Sequence, residues 1–298
     1  MQEPMTPTPL HEISDPILAE RQVQLFMKRD DLIHPTIPGN KWRKLKYNIA
    51  AARNAGAHSI LTFGGAYSNH IYAAASAGKI FGFRMIGVIR GEEHLPLNDV
   101  LRHAVDCGME ITYLDRPSYR DKYAPEVLAP LRERYGDFHL LPEGGSNCHA
   151  IRGVAELVDE LDTEFDHIVC PMGTGGTLAG IITGLQGRAQ VLGVSSLKGG
   201  TFLYDDVRAL LSTCGTPDPG NWSVLLDYHF GGFAKHTAEL DAFIAGFRKR
   251  HGIPLDFVYT GKMMYGIFDL VKQGHFPAGS RIVAVHTGGV DTSRKVGD

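Results

Sequence analysis

Four basic side chains lie within ten residues, in the stretch PGNKWRKLKY at positions 38–47. Asn40 can cap a helix that begins at Lys41, which places this lysine where the helix dipole disfavours a positive charge. The same field lowers the pKa of an amine, and a neutral lysine can act as a nucleophile or form an imine. A solvated basic face that includes Arg43 and Lys44 would give a similar pattern. The residues alone therefore allow two interpretations of Lys41, a reactive amine and a surface charge.

A glycine-rich segment follows the apolar run HIVCPM and opens the next helical pattern. It consists of Gly173, Thr174, Gly175, Gly176 and Thr177. Glycines let the backbone approach a ligand closely, and the free N–H groups of a helix start attract an anion. The spacing matches neither the dinucleotide fingerprint nor the lysine-containing P-loop. The segment therefore favours a phosphate group outside a nucleoside triphosphate, and a plain tight connection is the alternative.

A second strand ends in glycines in the segment LTFGGAYSNHIYAAAS, at positions 61–76. Ser68, Asn69 and His70 then open a helix. Serine or asparagine at this place is an ordinary N-cap. Three polar side chains beside a helix N-terminus would also suit a carboxylate. Both interpretations stay open at the level of the sequence.

Two further segments place polar residues at predicted strand ends. FVYTGKMMYGI puts Tyr259 and Thr260 at a strand-to-helix turn, and AVHTGG puts Thr287 at the end of a strand. Polar residues at the carboxyl ends of parallel strands usually line a ligand crevice, although a buried tyrosine often makes only a structural hydrogen bond. The 14 histidines show no H-E-x-x-H or paired spacing, so no metal site is expected. The absence of a G-x-S-x-G elbow disfavours the common hydrolases.

Short apolar runs alternate with helical patterns along almost the whole chain. The predicted strands are QLFMKR, SILTFGG, RMIGVIR, EITYLD, DFHLLPE, HIVCPM, QVLGVSS, SVLLDYH and RIVAVHTGG. Most are continuous apolar runs, which is typical of parallel strands covered on both faces. Helical patterns lie between them, namely KLKYNIAAARNAG, NHIYAAASAGKIFG, AIRGVAELVDELD and TLAGIITGLQG. This alternation predicts an α/β fold, and the number of strands favours two lobes.

Composition argues against several classes of function. The 298 residues have a formal net charge of −3, so no global positive field favours nucleic acid or an anionic membrane. No apolar run approaches the roughly 20 residues that span a bilayer, and the first residues lack the pattern of a secretory signal. The four cysteines are far apart without C-x-x-C spacing and are expected to be reduced thiols. These features predict a soluble cytoplasmic protein without a nucleic-acid or membrane partner.

The residues at 39–45, Gly-Asn-Lys-Trp-Arg-Lys-Leu, fit the motif G-N-K-x-R-K-L. With this motif, the Ser-Asn-His triplet, the glycine-rich segment and the Tyr-Thr pair, the chain resembles the pyridoxal-phosphate enzymes of fold type II, the tryptophan synthase β-like group. Within that group it is most similar to the branch that contains 1-aminocyclopropane-1-carboxylate deaminase and D-cysteine desulfhydrase. The resemblance extends from LFMKRDDL to HTGG.

This resemblance implies a two-lobed fold, with parallel-rich twisted sheets covered by helices. It implies a small lobe at residues 46–147, inserted in a large lobe formed by residues 1–45 and 148–298. The cofactor, pyridoxal 5'-phosphate, would lie at the interface of the lobes. Enzymes of this family are usually homodimers, so a homodimer is expected.

The resemblance also implies which residues bind the cofactor. Lys41 is expected to bind pyridoxal phosphate covalently, and Lys44 to lie near its phosphate. Residues 173–177 match the phosphate cradle of the family. Asn69 is expected to contact the 3-oxygen of the cofactor.

For the substrate, the triplet at 68–70 matches the loop that binds the amino-acid carboxylate. Tyr67 precedes the triplet at a position where the branch usually has glutamine, so it reshapes the substrate pocket. Tyr259 matches the active-site tyrosine of the branch. The α-proton is expected to be removed by Lys41, Ser68 or Tyr259, a choice that the resemblance leaves open.

Two threonines at cofactor-binding positions indicate the substrate. Thr260, expected to face the pyridine nitrogen, stands where the deaminase has glutamate, and Thr287 stands where it has leucine. Both follow the desulfhydrase pattern, which predicts conversion of D-cysteine to pyruvate, ammonia and hydrogen sulfide. After HTGG the chain reads VDTSRK, where the branch usually has Pro-Ala-Leu. The alternatives are the deaminase reaction, which gives 2-oxobutyrate and ammonia, a non-catalytic homologue that binds pyridoxal phosphate, and a nucleotide-binding α/β protein.

Overall fold

The computed structural model describes residues 3–289, and the VDTSRK segment lies outside this range. The strands are β1 Leu10–Ile13, β2 Gln24–Lys28, β3 Ser59–Gly64, β4 Arg84–Arg90, β5 Glu110–Leu114, β6 His139–Leu141, β7 His167–Met172, β8 Gln190–Ser195, β9 Trp222–Leu225 and β10 Arg281–Val285. The helices are α1 Pro16–Glu20, α2 Asn40–Asn54, α3 Asn69–Phe81, α4 Asp99–Asp106, α5 Arg116–Arg120, α6 Pro125–Tyr135, α7 Cys148–Asp159, α8 Gly176–Leu185, α9 Leu203–Thr213, α10 Ala238–His251 and α11 Thr260–Lys272. Short 3₁₀ turns lie at Asp30–Leu32, Glu143–Gly145 and Gly200–Phe202.

The larger sheet has six strands in the order β1-β2-β10-β7-β8-β9. All neighbours are parallel except β1, which pairs antiparallel with β2 at the edge. The nine strands expected from the sequence are present, whereas β1 was not expected. Its four residues, LHEI, include only one buried side chain, Ile13. This short edge strand therefore lacks the continuous apolar run that marks the others.

The smaller sheet has four parallel strands in the order β5-β4-β3-β6. All six residues of the central strand β3 are buried. In β4, the five residues between Arg84 and Arg90 are buried, while the two arginines are exposed. This pattern is expected for parallel strands covered on both faces.

Helices cover both faces of each sheet. On the larger sheet, α7, α8 and α9 bury one apolar cluster, and α1, α10 and α11 bury another. On the smaller sheet, α2, α3 and α4 bury one cluster, and α5 and α6 the other. The predicted α/β fold with parallel-rich sheets covered by helices is therefore confirmed.

Helix α2 connects the two sheets. Its first turn follows a hydrogen bond from the Asn40 N–H to the Thr287 carbonyl, just after β10 of the larger sheet. Its later residues Leu45 and Ile49 belong to an apolar core of the smaller sheet. The proposed lobe boundary at 46 lies inside this continuous helix, and the boundary at 147 lies just before α7. The extent of the lobes stays a prediction.

The expectation that all four cysteines are reduced thiols is wrong. Cys148, at the start of α7, and Cys214, just after α9, form a disulfide with a Cα–Cα distance of 5.3 Å. The two residues are 66 positions apart in sequence, and they meet because α7 and α9 both pack against α8. Cys107 and Cys170 are free. Spacing alone could not reveal a pair brought together by three packed helices.

Removal of this disulfide should lower the stability of the protein. A disulfide typically stabilises a fold by about 2–4 kcal/mol, mainly because it restricts the unfolded chain. Cys214→Ser should therefore lower the free energy of unfolding in urea by about this amount. Cys107→Ser, which removes a free thiol, is the matched control. An equal urea midpoint for the wild-type protein with and without dithiothreitol would contradict the prediction.

Within residues 3–289, no helix is long and apolar enough to cross a membrane. In the same part of the chain, no group of three or more histidine, cysteine, aspartate or glutamate side chains could hold a metal ion.

Candidate active site

A cavity of about 490 Å³ lies where the carboxyl ends of the parallel strands of both sheets meet. This volume is within the range of ordinary small-molecule sites, about 300–1,000 Å³. Twelve of the fourteen side chains or glycines expected at the site line it, namely Lys41, Lys44, Tyr67, Ser68, Asn69, His70, Gly173, Thr174, Gly175, Thr177, Tyr259 and Thr287. The other two, Gly176 and Thr260, lie outside the lining. The structure thus brings together five segments that are far apart in sequence.

The start of α2 is fixed against the end of the larger sheet. Gly39 has a φ of 62°, and a Cβ atom there would collide with the carbonyl oxygen of Thr287. Only glycine allows this approach, because it has no Cβ atom and it adopts a positive φ without strain. The idea that Asn40 caps α2 is wrong, since the N-cap is Gly39. The Asn40 side chain instead donates from Nδ2 to Thr177 Oγ1 at 2.7 Å, which ties α2 to the glycine-rich segment.

Lys41 lies in the first turn of α2 and faces the cavity. Burial lowers its pKa to about 8. No hydrogen bond or ion pair to its amine occurs within the described part of the chain, so nothing there holds the amine in its charged form. An amine with this pKa is largely available as a nucleophile or base in mildly alkaline solution.

Lys44 lies one helical turn further along α2. Its amine lies beside the start of α8. Its buried amine donates to Ser146 Oγ at 3.3 Å, and a Cβ atom on Gly176 would lie 3.0 Å from Lys44 Nζ. Ser146 Oγ also hydrogen-bonds Thr174 Oγ1 at 2.7 Å. Burial, followed by the charge of Lys41, lowers the pKa of Lys44 well below its ordinary value. An amine, two hydroxyls and the N–H groups of a helix start therefore converge where an anion would restore the charge of Lys44.

A second helix start lies on the other side of the cavity. Ser68 is the N-cap of α3, and its Oγ accepts from the N–H groups of His70 and Ile71 at 3.2 and 3.3 Å. Because its oxygen accepts these bonds, its hydroxyl proton stays available for an acceptor in the cavity. Asn69, the first residue of α3, also lines the cavity. This arrangement suits a carboxylate.

His70 and Tyr67, two residues expected to contact the substrate, differ in their exposure to solvent. The His70 imidazole is buried, and its Nε2 is 2.8 Å from Thr62 Oγ1 on β3. Burial, then the charges of Lys41 and Lys44, lower the pKa of His70, so the ring is neutral. Tyr67 is 69% exposed and therefore stands at the mouth of the cavity rather than deep in it.

Tyr259 and Thr260 are at the start of α11, but no strand precedes them, so the strand-to-helix turn expected there is wrong. The segment at 257–259 is a turn. Asp256 holds it, because Oδ1 accepts from the N–H groups of Val258 and Tyr259 at 2.8 and 2.7 Å. Thr260 Oγ1 donates to Asp256 Oδ2 at 2.7 Å. Thr260 is fully buried, and its expected contact with the pyridine nitrogen stays a prediction.

The Tyr259 hydroxyl lies beside the glycine-rich segment. A Cβ atom on Gly173 would be 3.2 Å from Tyr259 Oη. Burial, then the charges of Asp256 and Glu143, raise the pKa of Tyr259 well above its ordinary value. This phenol therefore stays protonated near neutral pH and can donate a proton or a hydrogen bond.

The family of the chain follows from comparison with known proteins. The family model described as "Pyridoxal-phosphate dependent enzyme" matches residues 1–288. The chain belongs to this family. It is 33% identical to a protein of Pyrococcus horikoshii provisionally named a 1-aminocyclopropane-1-carboxylate deaminase, over 98% of this chain and 92% of that one. It is 29% identical to the mitochondrial bifunctional D-cysteine desulfhydrase/1-aminocyclopropane-1-carboxylate deaminase of Arabidopsis thaliana, over 95% and 76% of the two chains.

A solved structure agrees with this family. The crystal structure of a homologue of 1-aminocyclopropane-1-carboxylate deaminase has a TM-score of 0.81 and 31% identity, over 96% of this chain and 90% of that one. The match extends over almost the whole of both chains. The resemblance to fold type II pyridoxal-phosphate enzymes is therefore confirmed.

Three features of this pyridoxal-phosphate family member fit its cofactor. The start of α8, with Lys44 beside it, suits a phosphate group. Gly173 leaves room between the backbone and Tyr259 that a side chain would fill. Lys41 has an amine of lowered pKa in the same cavity, as covalent attachment of an aldehyde requires.

Several cavity residues were not expected from the sequence. They are Asn40, Gly144, Arg90, Glu143, Asp206 and Phe233, with Ser146 hydrogen-bonded to the lining residue Thr174. The segment EGGSN at 143–147 offered a usable signal, because it again places glycines and hydroxyls between a strand and a helix. Arg90 and Asp206 offered none, since single charged residues at element ends are common on protein surfaces.

Proposed function

We propose that this protein catalyses elimination and deamination of a small amino acid with pyridoxal phosphate, and that D-cysteine is the favoured substrate type. The observation behind the proposal is the position of Lys41. Its amine faces a cavity that has one helix start suited to a phosphate and another suited to a carboxylate. A cofactor phosphate and a substrate carboxylate would thus be held at two sides of a reactive lysine.

The cofactor would be held by α2 and α8. Lys41 would bind its aldehyde carbon covalently, and Lys44 would neutralise its phosphate together with the N–H groups of residues 173–177. Asn40 positions Thr177 for this contact through their 2.7 Å hydrogen bond. Asn69 would contact the 3-oxygen, and Thr260 and Thr287 would lie near the ring, as the family resemblance implies.

The substrate carboxylate would bind at the start of α3. The Ser68 hydroxyl would donate to it, because the lone pairs of Ser68 Oγ already accept from the helix backbone. Asn69 and the backbone of His70 would complete the site. Tyr67 at the mouth would limit the size of the amino-acid side chain.

Bound pyridoxal phosphate supplies an electron sink for the electron pair left at the α-carbon when a proton leaves. The protein must supply the base, and Lys41 fits this role best. Its pKa of about 8 lies near the working pH of most enzymes. Tyr259 has a raised pKa and suits the opposite role, donation of a proton to the leaving group. Ser68 is engaged by the helix backbone.

Two neutral side chains favour D-cysteine over 1-aminocyclopropane-1-carboxylate. Thr260 stands where the deaminase has a glutamate, and Thr287 where it has a leucine. A carboxylate at the pyridine nitrogen strengthens the electron sink, which ring opening requires more than elimination of a thiol does. The name of the Arabidopsis relative combines both activities, so the deaminase reaction is the second candidate.

The pKa of Lys41 predicts the pH dependence of cofactor binding. Only the neutral amine attacks an aldehyde, so the rate of covalent attachment should rise about tenfold per pH unit below about 8 and level off above it. Stopped-flow absorption after addition of pyridoxal phosphate to the apoprotein measures this rate. Butylamine in the same buffers controls for titration of the cofactor. An inflection near 10.5, the ordinary lysine value, would contradict the assignment.

The test of the proposed function uses the purified holoenzyme with D-cysteine and with 1-aminocyclopropane-1-carboxylate. Release of sulfide and pyruvate in equal amounts from D-cysteine supports the proposal. Formation of 2-oxobutyrate without sulfide release would favour the deaminase. Absence of any product, with the cofactor band present and unchanged by either compound, would favour a non-catalytic homologue.

We also propose, from the family resemblance and the composition, a homodimer in the cytoplasm. Size-exclusion chromatography with light scattering tests the dimer. The redox state of Cys148 and Cys214 in whole cells tests the compartment, because disulfides are rare where thiols are kept reduced. A pair that is reduced in cells and oxidises only after lysis would support the cytoplasm, and a pair that is already disulfide-bonded in cells would contradict it.

A further inference from the structure

Arg90 is a cation that lines the cavity but has no role in cofactor binding or in the proton transfers of the proposed reaction. It is the last residue of β4, and its side chain is exposed. A Cβ atom on Gly65 would lie 3.7 Å from Arg90 Nη2, so the guanidinium lies over the start of the segment that leads to Ser68. The ring of the buried Tyr119 supports it, with 5.9 Å from Arg90 Cζ to the ring centroid. This contact orients the guanidinium without neutralising it.

Within residues 3–289 Arg90 has no hydrogen bond or ion pair. Two acidic side chains also line the cavity, but neither pairs with it. Glu143 pairs with Lys122 at 3.1 Å, and Asp206 lies on α9, on the side of the larger sheet. Arg84, at the other end of β4, shows the usual arrangement, because it forms a two-point pair with Glu110. Arg90 therefore keeps a free, planar pair of donors at the cavity.

The α-carboxylate of a substrate does not require this cation. The start of α3 already provides a hydroxyl and free N–H groups for it. A guanidinium binds carboxylate, sulfonate or phosphate groups with two parallel hydrogen bonds. A second negative group on the substrate would thus form such a two-point contact with Arg90.

We propose that Arg90 binds a second negative group, so that the substrate is an amino acid whose side chain ends in a carboxylate, sulfonate or phosphate. This inference rests on the proposed function: it keeps the reaction and replaces D-cysteine as the preferred substrate with an amino acid that carries a second negative group. D-cysteine would then be a minimal substrate that lacks the group recognised by Arg90.

The test compares pairs of amino acids that differ in this second charge. D-aspartate is compared with D-asparagine, and O-phospho-D-serine with D-serine, together with the L enantiomers. Their dissociation constants are measured at low ionic strength from the change in the visible absorption band of the wild-type holoenzyme. The same ratios are measured in Arg90→Gln and in the matched control Arg84→Gln, whose arginine is on the same strand but outside the cavity.

In the wild-type protein the charged member of at least one pair should bind roughly tenfold more tightly or better, as expected for a charge-assisted, two-point contact. Arg90→Gln should bring this ratio close to one, and Arg84→Gln should keep it. A wild-type ratio near one, with sulfide still released from D-cysteine, would overturn the Arg90 inference alone. Equal weakening of both members in Arg90→Gln would also overturn it, because Arg90 would then bind the α-carboxylate. No response to any amino acid would overturn the proposed function and this inference together.

Discussion

Lys41→Ala should abolish covalent binding of pyridoxal phosphate and lower the rate of amino-acid elimination on the order of 10³-fold or more. The physical reason is that the proposed function gives one amine two roles. It is the reactive group of lowered pKa that faces the cavity, and it is the best candidate for the base that takes the α-proton. The loss should appear as the absence of the visible band of the bound cofactor. Sulfide and pyruvate release from D-cysteine measures the rate.

Lys46→Ala is the matched control for this prediction. Lys46 lies in the same helix, but it pairs with Glu156 and does not line the cavity. This variant should keep the cofactor band and most of the activity. A normal band in Lys41→Ala after gel filtration would contradict the assignment of Lys41. A lost band in both variants would indicate damage to α2 instead.

The segments that hold this site could be predicted because each follows a simple local rule. Ser68 and the glycines at 173–176 stand at strand ends before helices, and parallel strands bring such ends to one edge of a sheet. Nine of the strands were recognisable from the sequence, most of them as continuous apolar runs. The motif around Lys41 added the family, which neither composition nor periodicity could supply.

What the sequence did not reveal depends on contacts between distant segments. The Cys148–Cys214 pair exists because α8 separates two helices by a fixed distance. Asn40 looked like a helix cap, but the close approach of Gly39 to Thr287 moves the cap by one residue and frees the Asn40 side chain for Thr177. Such outcomes depend on tertiary packing, which local pattern cannot specify.

Arg43 is the other basic residue of the motif whose role only the structure reveals. It is 1% exposed, and it pairs with Asp30 from Nε at 2.6 Å and with Glu160 from Nη1 at 2.8 Å. Lys28, fully buried, pairs with Glu160 at 2.7 Å. The positive charges of Arg43 and Lys28 thus offset the negative charges of the two carboxylates. The network ties the first turns of α2 to the end of α7 and to the segment after β2, and so fixes the helix that positions Lys41.

Arg43→Met should lower the free energy of unfolding by about 3–5 kcal/mol, because it leaves the fully buried carboxylate of Asp30 without its main partner. Urea unfolding of the apoprotein at pH 7 measures the loss without interference from the cofactor. Arg102→Met is the matched control. It removes an exposed arginine 3.6 Å from Asp99, and such surface pairs contribute about 0–1 kcal/mol. An equal decrease in unfolding free energy in the two variants would contradict the prediction that the buried network stabilises the fold more than a surface pair does.

Acid should reduce the difference in unfolding free energy between the wild-type protein and Arg43→Met. Burial opposes ionisation of Glu160, but hydrogen bonds and charge from Arg43, and then from Lys28, outweigh it and lower its pKa to about 2. A carboxylate with a lowered pKa stabilises the fold fully above its unfolded value, near 4.5, and loses this contribution as the pH falls towards 2. The difference in unfolding free energy should therefore be smaller at pH 3 than at pH 7. A difference that stays constant would mean that Arg43 stabilises α2 through the packing of its stem and not through its charge.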